Sequence, residues 1–161
     1  MSRPISRRMA WAYALAVALL AVSGTMQMPI ASRYRITAVP GLAWLGDFWL
    51  THRLHYVGAI ALLTLASYLG TRWWLEWRQD FELTRFGRVR VALLALLIVT
   101  GALRMLKNLP DVSFAPAPTM VMDWAHLALA LLLGLTALAR LATRAAYARA
   151  RRQPGQGPAD R

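Results

Sequence analysis

Long uninterrupted apolar runs dominate the chain, separated by short polar or charged stretches. They extend from about Met9 to Ile30, Thr51 to Leu75, Val89 to Met105 and Met120 to Thr143. Each approaches or exceeds the length a helix needs to cross a hydrocarbon core of roughly 30 Å. The first follows Arg3, Arg7 and Arg8, as a signal peptide would. It outlasts a normal signal core and reaches Pro29 with no A-x-A site, so it reads as a retained helix. Residues 31–51 carry turn signals at Pro40-Gly41 and Gly46-Asp47 around Trp44, Phe48 and Trp49. That segment is expected at the interface, with its rings at headgroup level. KNLPDVSFAPAPT holds three prolines and predicts a loop, while RRQPGQGPADR predicts a solvated end. The pattern predicts an all-α integral membrane four-helix bundle over residues 1–145, with helices at about 9–30, 51–75, 89–105 and 120–143. A disordered basic tail is expected over 146–161.

Composition agrees: 58% of the 161 residues are hydrophobic, and mean hydropathy is +0.40. The net charge of +12 raises nucleic acid as a partner, but no recognisable binding module is present. The basic residues instead cluster beside the apolar runs. The N-terminus, the middle loop and the C-terminal segment together hold 14 of the 19 Lys and Arg. By the positive-inside rule both termini are then cytoplasmic. No nucleic-acid partner is expected; the lipid bilayer is. The absence of cysteine excludes disulfides, thiolate metal sites and covalent c-type haem attachment. Side-chain catalysis is not expected, because no G-x-S-x-G, H-E-x-x-H, P-loop or dinucleotide fingerprint occurs.

Three histidines remain, His52 and His55 in the second run and His126 in the fourth. Imidazoles in membrane segments are costly and tend to be functional. An internal repeat selects among them. LLAVSGTMQM in the first run matches LLIVTGALRM in the third, aligning Ser23-Gly24 with Thr100-Gly101. LHYVGAIALL in the second matches AHLALALLLG in the fourth, aligning His55 with His126. The chain thus reads as a parallel repeat of two helix hairpins. Gly24, Gly101, His55 and His126 all fall about 7–11 Å below the outer helix ends. This matched depth predicts one haem between the hairpins, with His55 and His126 as axial ligands and Gly24 and Gly101 clearing space for the porphyrin. His52, one turn outward, is an alternative axial ligand or a contact for a propionate or quinone; its repeat counterpart is Asp123. Arg104, Arg53 and Lys107 are candidates for propionate pairing, Arg104 first.

RLHYVGAIALL, together with the later WAH, resembles the bacterial four-helix cytochrome b families. These are the cytochrome b561-like proteins and the cytochrome b (gamma) subunits of formate dehydrogenases and hydrogenases. The resemblance covers roughly residues 9–145. It implies a multi-pass protein of the bacterial inner membrane carrying haem b. It also implies electron transfer with a periplasmic or peripheral redox subunit, with quinone as a candidate partner. The chain departs from two-haem members: its first run has no histidine, and its inner side has none. One haem is therefore the expected limit. A rival reading takes Met26, Met28, Met105, Met120 and Met122, beside the histidines and Asp123, as a copper-binding or copper-transport set.

Overall fold

The computed structural model describes residues 5–151. Four long helices carry the chain, and each begins where a local signal stops the preceding loop. Ser6 caps the first, Arg7–Met26, by accepting the Met9 N–H at 3.3 Å. That helix ends earlier than expected, because Pro29 opens a separate short helix, Pro29–Arg33. Two 3-10 turns follow, Ile36–Ala38 and Ala43–Gly46, with Gly41 between them at φ +85°. Asp47 then caps the second long helix, Phe48–Arg72, by accepting the Leu50 N–H at 3.0 Å. The helix continues through a π-helical turn, Trp73–Trp77, and ends at Asp80. Thr84 caps the third, Arg85–Leu106, by accepting the Gly87 N–H. The fourth, Pro116–Thr143, starts on a proline at its first position, where a missing N–H costs nothing.

The chain divides into two units, one ending at Trp77 and the other starting at Arg78. In the first, the two long helices pack on each other, as do the two in the second. Each unit is therefore a helix hairpin. The first is held close at Gly58, where an added Cβ would stand 3.0 Å from the Leu20 Cγ.

The distribution of apolar surface runs opposite to that of a water-soluble domain. Among the described residues the buried apolar side chains are Ala16, Ala31, Leu45, Leu62 and Leu133. Trp11, Leu15, Ile60, Leu131 and Leu141 are among the many large ones left exposed. Exposure on that scale suits a solvent as apolar as the side chains themselves. All four long helices have the length and composition to cross a membrane. Trp44, Phe48 and Trp49, expected at headgroup level, are all exposed.

The expected tail needs correction in its first part. Ala148–Ala150 forms a strand antiparallel to Phe81–Leu83, pairing Glu82 with Arg149. The fold is thus helical with one small two-stranded sheet, not purely α. Alternation of charge and alanine in so short a segment gives no legible strand signal. The rest of the expected tail, 152–161, lies outside the described residues. This clasp is reinforced at several points. Thr84 donates its hydroxyl to the Ala146 carbonyl at 2.7 Å, and Arg149 pairs with Glu82 at 2.6 Å. The Tyr147 ring stacks on Phe86 and lies under the guanidinium groups of Arg90 and Arg140.

Gly87 permits the clasp. An added Cβ there would fall 2.0 Å from the Tyr147 carbonyl oxygen, a backbone atom that cannot swing aside. Gly87→Ala is expected to destabilise the purified protein in detergent by about 1–3 kcal/mol, as overpacking does. A thermal unfolding midpoint equal to that of the wild type would show that the strand does not close on this helix.

Candidate functional site

The site is built twice, once in each hairpin, and the two copies follow the internal repeat. In the first hairpin, Ser23 on the first helix is 1% exposed, with its Oγ 3.0 Å from the His55 Nδ1. In the second, the Thr100 Oγ1 lies 3.0 Å from the His126 Nδ1. Each histidine is therefore held by a hydroxyl on the helix that precedes its own.

The hydroxyl proton fixes the direction of each bond. The Ser23 Oγ donates to the Leu19 carbonyl at 2.7 Å, and the Thr100 Oγ1 donates to the Leu96 carbonyl at 2.9 Å. A hydroxyl has one proton to give, so toward the imidazole each oxygen acts as acceptor. Nδ1 of His55 and of His126 then carries the hydrogen, and in the neutral ring the lone pair for a metal sits on Nε2. Metal-binding histidines are oriented in this way, with the second ring nitrogen donating to a fixed oxygen.

The glycines expected to face a porphyrin each lie against the imidazole of their own hairpin. A Cβ added at Gly24 would stand 3.2 Å from the His55 Cε1, and one at Gly101 would stand 3.3 Å from the His126 Cε1. Both distances are tighter than ordinary van der Waals contact. The glycine leaves the imidazole room to lie along the neighbouring helix. The hydroxyl immediately before the glycine then meets Nδ1. Ser-Gly and Thr-Gly are thus one device: a space for the ring and an acceptor for its N–H.

A second polar layer lies one helical turn beyond, and here the copies differ in chemistry. In the first hairpin the His52 Nδ1 is 3.0 Å from the Gln27 Oε1, and its Nε2 is 3.0 Å from the Tyr56 hydroxyl. Phe48 stacks on the same ring at 5.5 Å. Both nitrogens of His52 are engaged, so ligation of a metal requires breaking one of these bonds. The second hairpin carries an ion pair where the first carries a hydrogen-bonded His–Gln pair. Asp123 lies 2.8 Å from the Arg104 Nε and 3.0 Å from the Lys107 Nζ. Arg104 occupies the repeat position of Gln27, and Asp123 that of His52.

Two of the three cations expected to meet propionates are thus bound to a carboxylate of their own hairpin. Arg53 is exposed and makes no ion pair among the described residues. Asp123, named in the copper reading, is taken by the same two cations. No cluster of three or more His, Asp or Glu side chains able to hold a metal ion occurs among the described residues. The sequence reading missed Gln27 and the bonding roles of Ser23 and Thr100. Their signal was available in the aligned repeat, where a change of Gln27 to Arg accompanies a change of His52 to Asp.

No family model matches the chain, and neither the curated proteins nor the solved structures contain a match to it.

Proposed function

We propose that the chain is a membrane-bound b-type cytochrome carrying one haem, with His55 and His126 as axial ligands through Nε2. In this reading it is a multi-pass protein of the bacterial inner membrane with both termini cytoplasmic. It serves as the electron-transfer and anchor subunit of a respiratory oxidoreductase, with a periplasmic or peripheral redox subunit as partner and quinone as a candidate. One observation carries the proposal: two histidines at equivalent repeat positions have the same hydroxyl at Nδ1 and the same glycine beside Cε1. Histidines serving only to join helices need neither a common tautomer nor a glycine at each ring.

The donor chemistry of each hairpin suits the group. Imidazole is an ordinary axial ligand of haem iron, and the hydroxyl at each Nδ1 sets the tautomer and strengthens the ligand. Haem supplies reversible one-electron transfer, and two imidazoles leave its iron no open position for oxygen chemistry. The protein's own contributions are ligation, orientation of both rings and exclusion of water by the surrounding apolar helices. Of the three propionate candidates, Arg53 is the one without an ion pair among the described residues, since Arg104 and Lys107 are engaged by Asp123. In the second hairpin the layer one turn from His126 is an ion-paired one, whereas in the first it is the hydrogen-bonded set of His52, Gln27 and Tyr56.

Thr100→Val tests the role of the hydroxyl while preserving shape. Loss of the acceptor weakens the electron donation of His126, which favours ferrous over ferric iron. The midpoint potential is expected to rise by roughly tens of millivolts, with haem retained. An unchanged potential would assign Thr100 to helix packing alone. Metal analysis of the purified protein separates the rival reading, with iron expected and stoichiometric copper contradicting the proposal.

A further inference from the structure

The second unit contains a cleft of about 450 Å³ at the start of the third long helix, beside the clasp. Thr84, Arg85, Arg88 and Arg149 line it together with Glu82. Glu82 neutralises Arg149 at 2.6 Å. Arg85 and Arg88 are exposed and make no ion pair or side-chain hydrogen bond among the described residues. Three guanidinium groups against one carboxylate leave the cleft lining with two net positive charges, both on side chains without an ion pair among the described residues.

The position of the cleft narrows the ligand. It opens at the first turn of a 22-residue apolar helix, Arg85–Leu106. If that helix crosses a bilayer, its first turn stands at headgroup level, where phosphates are concentrated. The positive end of the helix dipole adds to the attraction for an anion. Guanidinium groups bind phosphate oxygens bidentately, and the clasp fixes one edge of the cleft by tying Arg149 to the helix start.

We propose that this cleft binds the headgroup of an anionic membrane phospholipid bearing two phosphodiesters, with Arg85 and Arg88 as its principal contacts. Two phosphodiester charges match the two unpaired cations, and acyl chains attached to such a headgroup extend along the exposed apolar face of the same helix. Val89, Leu96 and Val99, all more than half exposed, continue that face beyond the cleft. This inference rests on the helix crossing a membrane and is independent of the haem.

The test uses the full chain purified in detergent and titrated separately with diphosphatidylglycerol, phosphatidylcholine and inorganic phosphate. Retained lipid is read by native mass spectrometry, and the thermal midpoint provides a second readout. Selective, saturable retention of diphosphatidylglycerol is expected. The double variant Arg85→Gln/Arg88→Gln should weaken it about a hundredfold, as loss of two charge-assisted contacts implies. Arg85→Lys/Arg88→Lys, which keeps the charge but not the bidentate fork, should weaken it only about tenfold, less than the Gln pair. Arg144→Gln, which removes a cation after the fourth helix and outside the cleft, should change it little. Equal weakening by Arg144→Gln would overturn the proposal in favour of general surface attraction. So would equal binding of phosphatidylcholine, or inorganic phosphate reproducing the full stabilisation.

Discussion

His126→Ala is expected to abolish the low-spin haem spectrum, and His55→Ala is expected to do the same. In the proposed arrangement each would remove one of the two histidines that hold the haem, and the remaining imidazole alone would not give a low-spin iron. The reduced-minus-oxidised spectrum of membranes expressing each variant measures this directly. His52→Ala is the internal control: both its nitrogens bond within the first hairpin, to Gln27 and Tyr56. Its loss should leave the low-spin spectrum in place. Retention of the wild-type spectrum in His126→Ala, or its loss in His52→Ala alone, would reassign the ligands.

Gly101→Leu is expected to reduce haem content at least as severely as loss of a supporting hydrogen bond, about 10–100-fold in affinity. The cause lies in the helix surface. A single Cβ at Gly101 already reaches 3.3 Å from the His126 Cε1. An isobutyl group occupies the volume of the ring itself and forces His126 away from Thr100. Gly24→Leu should act on His55 by the same route, with its Cβ at 3.2 Å. Gly134 gives the contrast, because nothing lies within 4 Å of a Cβ added there. Gly134→Leu should load haem normally. Full loading of Gly101→Leu would show that the position serves helix approach alone.

The sequence made some of this legible and hid the rest for physical reasons. Helices long and apolar enough to cross a membrane announce themselves because crossing needs an unbroken apolar run, so all four were readable. Their ends were less so. The second and third helices start earlier than hydropathy suggests, at caps supplied by Asp47 and Thr84, and the fourth starts inside the expected loop, at Pro116, because proline is tolerated in a first helical turn. Hydropathy averages do not register a cap, which acts through one side-chain oxygen. The clasp was invisible because its strands are three residues long and are held by Tyr147, Thr84 and a missing Cβ at Gly87, not by a hydrophobic pattern.

The repeat identified Ser23-Gly24 and Thr100-Gly101 as a matched pair, and His55 and His126 as another. It gave no indication that the pairs touch, because contacts across a hairpin depend on helix rotation. Once the contacts are known, the glycines acquire a different role: they make room for imidazole before any porphyrin is considered. Likewise, Arg104 and Lys107 looked like free rim cations until Asp123 was found between them. Charge counting along a sequence does not reveal which charges cancel.

Electron paramagnetic resonance of the oxidised, purified full chain, combined with haem quantitation, tests the central claim most directly. One haem b per chain is expected, with the low-spin ferric signal of an iron bound by two imidazoles, lost in either His55→Ala or His126→Ala. A colourless preparation, a copper signal, or a high-spin iron unaffected by either substitution would contradict it.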